Sequence, residues 1–600
     1  MYNRIYRTVL SVLAVVTFFL SIPVCAADSG AGTMLNHVRT WIAPGFVVYA
    51  RSYGEDDGTR QNGFSLELSP NNQVYPIVMA CDTIWGGLTM DAMVSYAQRQ
   101  GYNVVGAVNT AFFNNPGVPI GIVVENGKLR SSDNGLNAFA ILEDGSYYVA
   151  KDPEMEIFLE HPTWESEAVE IDRINKLFDD QQLHLYTSDY STVSTRVPDE
   201  ETVWVVRMCI QEGTLRMNGT VSLTVTEIVP EAKAVPIGEE YMVLTASTEG
   251  PYADLWKQFA VGDTVTVRTV CADETLSRAV YITGCGDLLV ENGRITDASG
   301  WMYGIGGPNP RTMVGWRADG TLVMYVAEGR NPGISDGLTL QMAAEEMLRQ
   351  GCVYAVNMDG GGSSILGVRR PGDTVVTPLN TPSAGAQRQD AAYILLVTDS
   401  TSDGIVKHWH LRQDHLRVLP GQRVYLSAYG TDRGLYPVES PPQQLFYGDA
   451  RGVLKDNVYV APQEGGTYGI SVWGNGAYGE GEIKVIADPS VVNIVDRNGR
   501  KPVEVNLAPG ETLELRVRAA KNGQIILADH TTIRYDMSAP LGYINEDGKF
   551  TADAPIGTSG VLTMRIGNYN QQVRVNVVKS LTDPMQHRMK TAIDFWEKVS

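Results

Sequence analysis

The stretch Asn-Met-Asp-Gly-Gly-Gly-Ser-Ser at residues 357–364 decides how the rest of the chain is arranged. It joins one carboxylate, Asp359, to three glycines and two hydroxyl groups. Successive glycines reach backbone angles that are closed to other residues, so the loop can admit a ligand close to the main chain or turn its N–H groups toward an anion. The apolar run at residues 353–356 predicts a short buried strand, which places Asp359 at that strand's carboxyl end.

Two helices are predicted from apolar spacing and end signals. The first covers residues 89–100, with Thr89 as its N-cap and Gly101 as its stop. The second lies just before the glycine loop and ends near Gly351. Its apolar side chains at helical spacing are Leu340, Ala343, Ala344, Met347 and Leu348.

Two more polar loops follow predicted strands. The strand at residues 104–108 leads into a loop that contains Asn109 and Asn114. The strand at residues 322–327 leads directly into Glu328 and Arg330. Loops held at the ends of a rigid sheet are common places for binding and catalytic groups, so both are candidate site loops.

Composition restricts the classes of function. A length of 600 residues predicts roughly three or four domains with sizeable cores. The formal net charge of −21 disfavours a general binder of nucleic acid or of anionic membranes, because those partners are held mainly by Lys and Arg. We therefore expect no nucleic-acid partner.

The first residues predict export. Arg4 and Arg7 precede an apolar run at residues 9–24, and small residues follow, so residues 1–26 are expected to be a signal peptide that is cleaved near Ala26. An uncleaved membrane anchor is the alternative, since the run approaches the length of a spanning helix. No other stretch is long enough to span a membrane, and the protein is expected to be secreted or held at the cell surface.

Cysteine usage points away from a disulfide framework or a zinc site. Five cysteines remain after the predicted cleavage, an odd number without CxxC spacing. We expect buried thiols, with a disulfide between Cys271 and Cys285 as the alternative.

The chain divides into several predicted units. Residues 27–397 form a strand-rich α+β domain, interrupted by a β-rich insertion at about residues 155–275. Residues 405–488 and 490–579 share short alternating strands and an internal Pro-Gly turn, which predicts two immunoglobulin-like β-sandwiches. Residues 580–600 form an amphipathic tail that weakly resembles the opening of an S-layer-homology repeat. We expect the C-terminal units to contact cell-wall polymer.

Several motifs in one order together resemble a known family. The central motifs are, in chain order, Arg311-Thr312, the run Gly-Leu-Thr-Leu at residues 337–340 and the loop at residues 357–364. They are accompanied by the loop at residues 109–114, by residues 328–330 and by Gln387-Arg388. This set resembles the phosphodiester glycosidase family, which includes the N-acetylglucosamine-1-phosphodiester α-N-acetylglucosaminidases. The resemblance covers about residues 40–397.

The resemblance implies cleavage between an anomeric carbon and a phosphate diester. It makes Asp359 the leading catalytic candidate, as nucleophile, general base or electrostatic partner of a positive anomeric carbon, with Glu328 as a second carboxylate. Arginine guanidinium groups would hold the departing phosphate. The predicted phosphate-binding and substrate-binding residues are Arg311, Thr312, Arg330, Arg388, Asn109, Asn114, Asn357, Gly360, Gly361, Gly362 and Ser363.

Some residues depart from the family pattern and keep other functions open. Glu328 stands where relatives usually have Asp, while Met342 and Gln387 stand where Glu is frequent. One alternative is an ordinary glycoside hydrolase that uses Asp359 and Glu328, and another is a wall-binding protein without turnover. No cofactor is required by the sequence, although a structural calcium ion at Asp359 is an alternative use of that carboxylate.

Overall fold

The computed structural model describes residues 31–54, 58–71, 73–164, 168–303, 306–439, 444–545 and 547–579. The predicted signal peptide at residues 1–26 and the predicted tail at residues 580–600 lie outside these described residues. Within the described ranges, no helix combines the length and the apolar character needed to cross a membrane.

The glycine loop follows a central strand of an eight-stranded sheet, here called sheet I. All neighbouring strand pairs of sheet I are antiparallel. In spatial order its strands are Thr33–Ala43, Phe46–Gly54, Arg60–Leu68, Leu322–Ala327, Arg311–Arg317, Cys352–Asn357, Leu288–Glu291 and Arg294–Ile295.

A five-stranded sheet, sheet II, faces sheet I across a shared apolar core. That core takes Phe46 and Met324 from sheet I and Val108 and Ile394 from sheet II, all fully buried. The strands of sheet II, in spatial order, are Thr377–Pro378, Leu366–Val368, Asn103–Asn109, Ala392–Thr398 and Tyr75–Ala80. A two-stranded ribbon, Phe113–Asn114 with Val118–Pro119, extends the loop that follows Asn109.

One helix covers the outer face of each sheet. Helix α1, Met90–Arg99, packs its buried side against sheet II, and helix α2, Leu340–Arg349, packs against sheet I. The Thr89 and Thr339 side chains accept hydrogen bonds from first-turn N–H groups and so cap the two helices, as predicted. The site-bearing part of the chain is therefore a stack of four layers: helix, sheet, sheet, helix.

The predicted insertion forms a large antiparallel sheet, sheet IV, that shares a core with a neighbouring five-stranded sheet, sheet III. Sheet III contains Tyr147–Ala150, Asn137–Leu142, Ala279–Cys285, Val123–Glu125 and Lys128–Ser131. Sheet IV contains Val169–Glu170, Met155–Glu160, Thr264–Cys271, Thr220–Ala232, Val203–Gly213, Tyr241–Ser247, His184–Thr187 and Arg173–Ile174. Residues such as Leu142 and Ile282 pack with Val206 and Leu244, so the insertion is joined to the preceding strands by a common core.

Residues 405–488 form two sheets around one apolar cluster. The larger contains Ala428–Thr431, His408–Leu411, Ala477–Val485, Gly466–Gly474 and Leu445–Gly448, with Leu416–Val418 paired alongside. The smaller contains Arg423–Tyr425, Val458–Val460 and Val453–Lys455.

Residues 490–579 form three small sheets around a second cluster. These are Val491–Asp496, Leu515–Lys521 and Gln524–Ile526; Glu504–Leu507, Tyr569–Val577, Ser559–Ile566 and Arg534–Met537; and Thr512–Leu513, Phe550–Ala552 and Gly542–Ile544. In each of the two segments an early strand pairs in parallel with the last strand. Both segments therefore share this strand arrangement. Their assignment to the immunoglobulin-like class stays a prediction.

Several sequence predictions need correction. The described chain is mostly β, with two ten-residue α-helices, so the predicted α+β class overstates the helical part. Leu348, predicted to be on the buried face of α2, is 37% exposed, and Glu346 is fully buried there instead. The Cys271–Cys285 disulfide is absent: both residues carry free, buried thiols.

The buried Glu346 carboxylate links α2 to sheet I. It accepts hydrogen bonds from Tyr53 at 3.0 Å and from Arg349 at 2.6 Å, and the Gln350 amide donates to it at 2.5 Å. A buried carboxylate is tolerated only when such partners replace its water. This network fixes the helix that precedes the glycine loop.

We expect Glu346→Ala to destabilise the protein by roughly 2–4 kcal/mol, because it leaves Tyr53 and Arg349 without their buried acceptor. Denaturant unfolding followed by tryptophan fluorescence measures the loss. The matched control is Glu345→Ala on the same helix, whose carboxylate accepts from the Gln341 side chain at the surface, and whose effect should stay within about 0.5 kcal/mol. Equal stability of the two variants would contradict the assignment of this network to folding.

Candidate active site

The Asp359 loop is held by main-chain hydrogen bonds from two directions. The Asp359 N–H donates to the Thr110 carbonyl at 2.9 Å, and the Gly361 N–H donates to the Pro310 carbonyl at 2.8 Å. Thr110 follows a strand of sheet II, whereas Pro310 precedes a strand of sheet I. The loops that contain Thr110, Pro310 and Asp359 therefore meet at one edge of the two facing sheets.

Asn109 and Thr312 lie beneath this loop. Both are fully buried. The Asn109 amide donates to the Asp359 carbonyl at 2.8 Å and accepts from the Thr312 hydroxyl at 2.9 Å. These hydrogen bonds are made within the protein, where they position Asp359, and substrate contact by Asn109 and Thr312 stays a prediction.

Two glycines of the loop make room for arginines. A methyl group on Gly361, whose φ is +62°, would lie 3.0 Å from Arg330 Nη2, and one on Gly362 would lie 2.8 Å from Arg388 Nη2. Both guanidinium groups therefore pack directly against the main chain beside Asp359. The sequence predicts that the glycines admit a ligand close to the main chain or turn N–H groups toward an anion. The structure adds a third reason for glycine here, which is the close approach of two cations.

Arg330 and Arg388 are exposed, and each is oriented by a polar neighbour. Arg330 Nε donates to Asn309 Oδ1 at 3.0 Å, while Arg388 Nη1 donates to the Ser363 hydroxyl at 3.4 Å. These bonds leave N–H groups of both guanidiniums facing solvent next to the loop. They can bind an anionic ligand such as a phosphate group.

Arg311 differs from these two arginines. It is 3% exposed, and it donates to the carbonyls of Leu338 at 2.9 Å and Gly307 at 3.0 Å. Burial and the neighbouring Arg330 guanidinium lower the pKa of Arg311 to about 10. The Arg311 guanidinium group thus contacts the loops on either side of the site, and its contact with phosphate stays a prediction.

Asp359 lies in a setting that favours its neutral form. Burial raises the pKa of Asp359 to about 6, although the Ser363 hydroxyl and the Arg388 guanidinium both favour the charged carboxylate. A carboxyl group with this pKa is largely ionised at neutral pH and still binds a proton readily. Such a group is suited to general base chemistry.

Sequence reasoning missed a second carboxyl group, Asp390. It is 1% exposed, and Tyr393 Oη lies 3.1 Å from its Oδ2 atom. Burial and the nearby Asp359 carboxylate raise the pKa of Asp390 well above its ordinary range. Its position two residues after Arg388, at the start of a buried strand, was the one signal available in the sequence.

Glu328 is bound by partners of its own. Its Oε1 atom accepts from the Thr381 N–H at 2.6 Å, and its Oε2 atom accepts from the Asn62 amide at 3.1 Å. The Asp359 carboxylate contributes to the raised pKa of Asp390. A catalytic pairing of Asp359 with Glu328 stays a prediction.

The remaining predicted residues surround the loop. Asn357 donates to the Tyr303 carbonyl at 2.7 Å, and within the described residues its Oδ1 atom is buried without a hydrogen-bond partner. Gly360 lies over Pro310, while Asn114 is exposed at the end of the ribbon strand Phe113–Asn114. Substrate contact by Asn114, Asn357, Gly360 and Ser363 stays a prediction.

Two of the three departures from the family pattern, Met342 and Gln387, lie close to helix N-termini. The Met342 N–H donates to the Thr339 hydroxyl, and Gln387 Oε1 accepts from the Asp91 N–H at 3.2 Å in the first turn of α1. Both positions thus contribute to helix ends in this chain. Across the described ranges, no group of three or more His, Cys, Asp or Glu side chains is placed to hold a metal ion.

Comparison with known proteins gives one family match. Residues 218–398 match the family model described as phosphodiester glycosidase. The matched part begins inside the predicted β insertion and includes Arg330, Asp359 and Asp390, whereas the Asn109 loop precedes it.

Individual relatives share less of the chain. The SPbeta prophage-derived uncharacterized protein YomE of Bacillus subtilis is 43% identical over 56 residues, which are 9% of this chain and 8% of that protein. A hypothetical protein from Synechocystis has a TM-score of 0.49 at 18% identity, with 60% of this chain and 64% of that chain covered. The chain spans less than two thirds of the length of both relatives.

A third comparison is with a zebrafish N-acetylglucosamine-1-phosphodiester alpha-N-acetylglucosaminidase, solved as a catalytic domain auto-inhibited by its pro-peptide. Its TM-score is 0.30 at 13% identity, and the match covers 61% of this chain and 87% of that chain. Residues 218–398 thus match the phosphodiester glycosidase family, which confirms for this part of the chain the resemblance that its motifs predicted.

Proposed function

We propose that the protein hydrolyses the bond between the anomeric carbon of a sugar and a phosphate diester. The observation that carries this proposal is the Asp359 loop itself. A carboxylate with a raised pKa stands beside two exposed guanidinium groups, and these pack against the glycines of the same loop. The cations that would bind the phosphate and the base that would activate water are therefore adjacent.

The chemistry of the leaving group explains why arginines suffice on that side of the bond. When the anomeric C–O bond breaks, the bonding electrons leave with a phosphomonoester, which carries negative charge stably near neutral pH. An ordinary glycoside releases an alkoxide and needs a carboxylic acid to protonate it. Arg330 and Arg388 would hold the phosphate oxygens as the charge on the departing group grows.

On the sugar side, Asp359 is assigned as general base. Water adds to the anomeric carbon, its proton passes to the Asp359 carboxylate, and the phosphomonoester departs. A base whose pKa lies near the working pH combines a large ionised fraction with useful basicity. The pKa of Asp359, raised to about 6 by burial, fits this requirement.

Asp390 is a positioning residue, because its charge affects the ionisation of the neighbouring base, Asp359. Its buried carboxyl group, next to Asp359, is neutral when Asp359 is ionised, because two adjacent buried carboxylates repel each other. The Tyr393 hydroxyl lies 2.9 Å from the Leu88 carbonyl and so can donate to it while accepting the Asp390 proton. This arrangement favours a state in which Asp359 and Asp390 together hold one proton at neutral pH.

The natural substrate is proposed from the sequence. The predicted signal peptide and the strand-rich C-terminal units favour an exported or surface-held enzyme that acts on sugar-1-phosphate diesters of cell-wall polymer or exopolysaccharide. A wall-binding protein without turnover is the other function that these features would serve, and the assay below distinguishes the two.

The first test is turnover of an N-acetylglucosamine-1-phosphodiester by the purified full chain. We expect free sugar and phosphomonoester from the wild type, and a loss of kcat/KM of about a thousandfold in Asp359→Asn, since the base is removed. The matched control is Asp456→Asn, an exposed aspartate at a left-handed φ of 48° that Asn tolerates.

Three results of this assay would be decisive. Equal rates in wild type and Asp359→Asn would overturn the assignment of the base. Absence of products from wild type, with retained binding of the polymer, would favour the wall-binding alternative. Equal cleavage of a phosphate-free aryl glycoside would favour an ordinary glycoside hydrolase.

The pH dependence of kcat/KM tests the carboxyl pair. Below a pH of about 6, Asp359 is protonated and cannot accept the proton of water, so activity should rise with pH through about 6 and then level off. In Asp390→Asn the same rise of kcat/KM with pH should persist, because Asn replaces a group that is already neutral. A limb that moves to lower pH in Asp390→Asn would show that Asp390 is ionised in the wild type.

Substitution of Arg388 tests whether this residue binds the departing phosphate. Replacing it with Ala should lower kcat/KM by about tenfold to a hundredfold, because the departing phosphate loses a charge-assisted hydrogen bond. Arg388→Lys should recover part of this loss, since the charge remains. Arg370→Ala, at another exposed arginine of the same domain, is the control. A loss as large in that control would contradict the assignment of Arg388 to the phosphate.

A further inference from the structure

A groove lies at the opposite end of sheet I from Asp359. Its volume is about 370 Å³, and it is bounded by sheet I on one side and by the strand Ala477–Val485 of the following unit on the other. Arg311 begins the seven-residue strand that Arg317 ends, and strands of that length span roughly 20 Å. Since Arg317 lines the groove, it is well separated from the candidate active site.

Tyr478 lines the wall of the groove that the following unit forms. Its ring is 39% exposed, stacks on Trp473 with the centroids 5.3 Å apart, and lies 6.0 Å from the buried Trp41 ring, which also lines the groove. The flat face of a tyrosine ring suits the apolar C–H face of a sugar ring.

Paired charges line both walls. Arg39 of sheet I lies 3.0 Å from Glu480, which is on the same strand as Tyr478, and Arg317 lies 2.5 Å from Glu67, both on sheet I. These partners hold the planar groups in fixed directions, and each group keeps further donors or acceptors. The paired lining charges are two positive and two negative, so the groove has no net attraction for a polyanion or for a cation.

The lining also includes short hydroxyl side chains. Ser69 and Thr321 lie 3.1 Å apart, Oγ to Oγ1, and both line the groove. An aromatic face together with fixed donors, acceptors and hydroxyls matches a ligand that has an apolar face and a rim of neutral hydroxyl groups. A pyranose ring has this composition, whereas a peptide or nucleic acid does not.

We propose that this groove binds a neutral segment of polysaccharide. The sugar ring lies on Tyr478, and its hydroxyl groups bond to Glu480 and Arg317. Because the groove is remote from Asp359, it holds the polymer without positioning the bond to be cleaved. The proposal does not depend on the proposed catalytic function, and it adds a binding site where sheet I meets the C-terminal part of the chain.

The test is titration calorimetry of the full chain carrying Asp359→Asn, which prevents turnover during the measurement. The probes are neutral hexasaccharides of glucose, mannose, galactose and N-acetylglucosamine. At least one should bind, and Tyr478→Ala should weaken its binding by about tenfold or more, a change that corresponds to about 1.4 kcal/mol.

Two further variants make the result decisive. Glu480→Gln keeps the side-chain shape and should weaken the same probe by about threefold to tenfold, through loss of a charged acceptor. Tyr425→Ala removes a 69% exposed ring from the same unit and should leave binding unchanged. Absence of binding by every hexasaccharide, or equal binding by the Tyr478→Ala and Tyr425→Ala proteins, would overturn the proposal, and the phosphodiester assay reports separately on Asp359.

Discussion

The main-chain hydrogen bonds that fix the Asp359 loop are the constraint on which the candidate site depends. Thr110 from one sheet and Pro310 from the other accept from this loop at 2.9 and 2.8 Å, so Asp359 cannot move independently of either sheet. The buried Asn109 amide strengthens the link by bonding to the loop and to Thr312. A carboxylate held in this way needs little reorganisation when its substrate binds.

The same constraint explains the charges around the loop. Asp390 is buried and Asp359 is half-buried where the two sheets meet, and this burial raises the pKa of both carboxyl groups. Gly361 and Gly362 leave room for two guanidinium groups at the surface of the same loop. Burial thus supplies a base near neutral pH, and the missing Cβ atoms allow cations to stand beside it.

Local signals in the sequence predicted much of this fold. Thr89 caps helix α1, and Gly101, which follows that helix, has a left-handed φ of +95°. These features depend on neighbours within a few residues. The loops after Asn109 and Asn357 were also recognisable as candidate site loops, because each follows a predicted strand and their order matches a family.

Long-range contacts were not predictable in this way. Arg311 was expected at the phosphate, yet it is buried by loops far along the chain, and Glu328 is bound to Thr381 and Asn62. Asp390 became visible only because sheet II places it beside Asp359. The most direct measurement is a crystal structure with a non-hydrolysable sugar-1-phosphonate diester. The account predicts phosphonate oxygens hydrogen-bonded to Arg330 and Arg388 with the anomeric carbon facing Asp359, and a phosphonate bound elsewhere would contradict it.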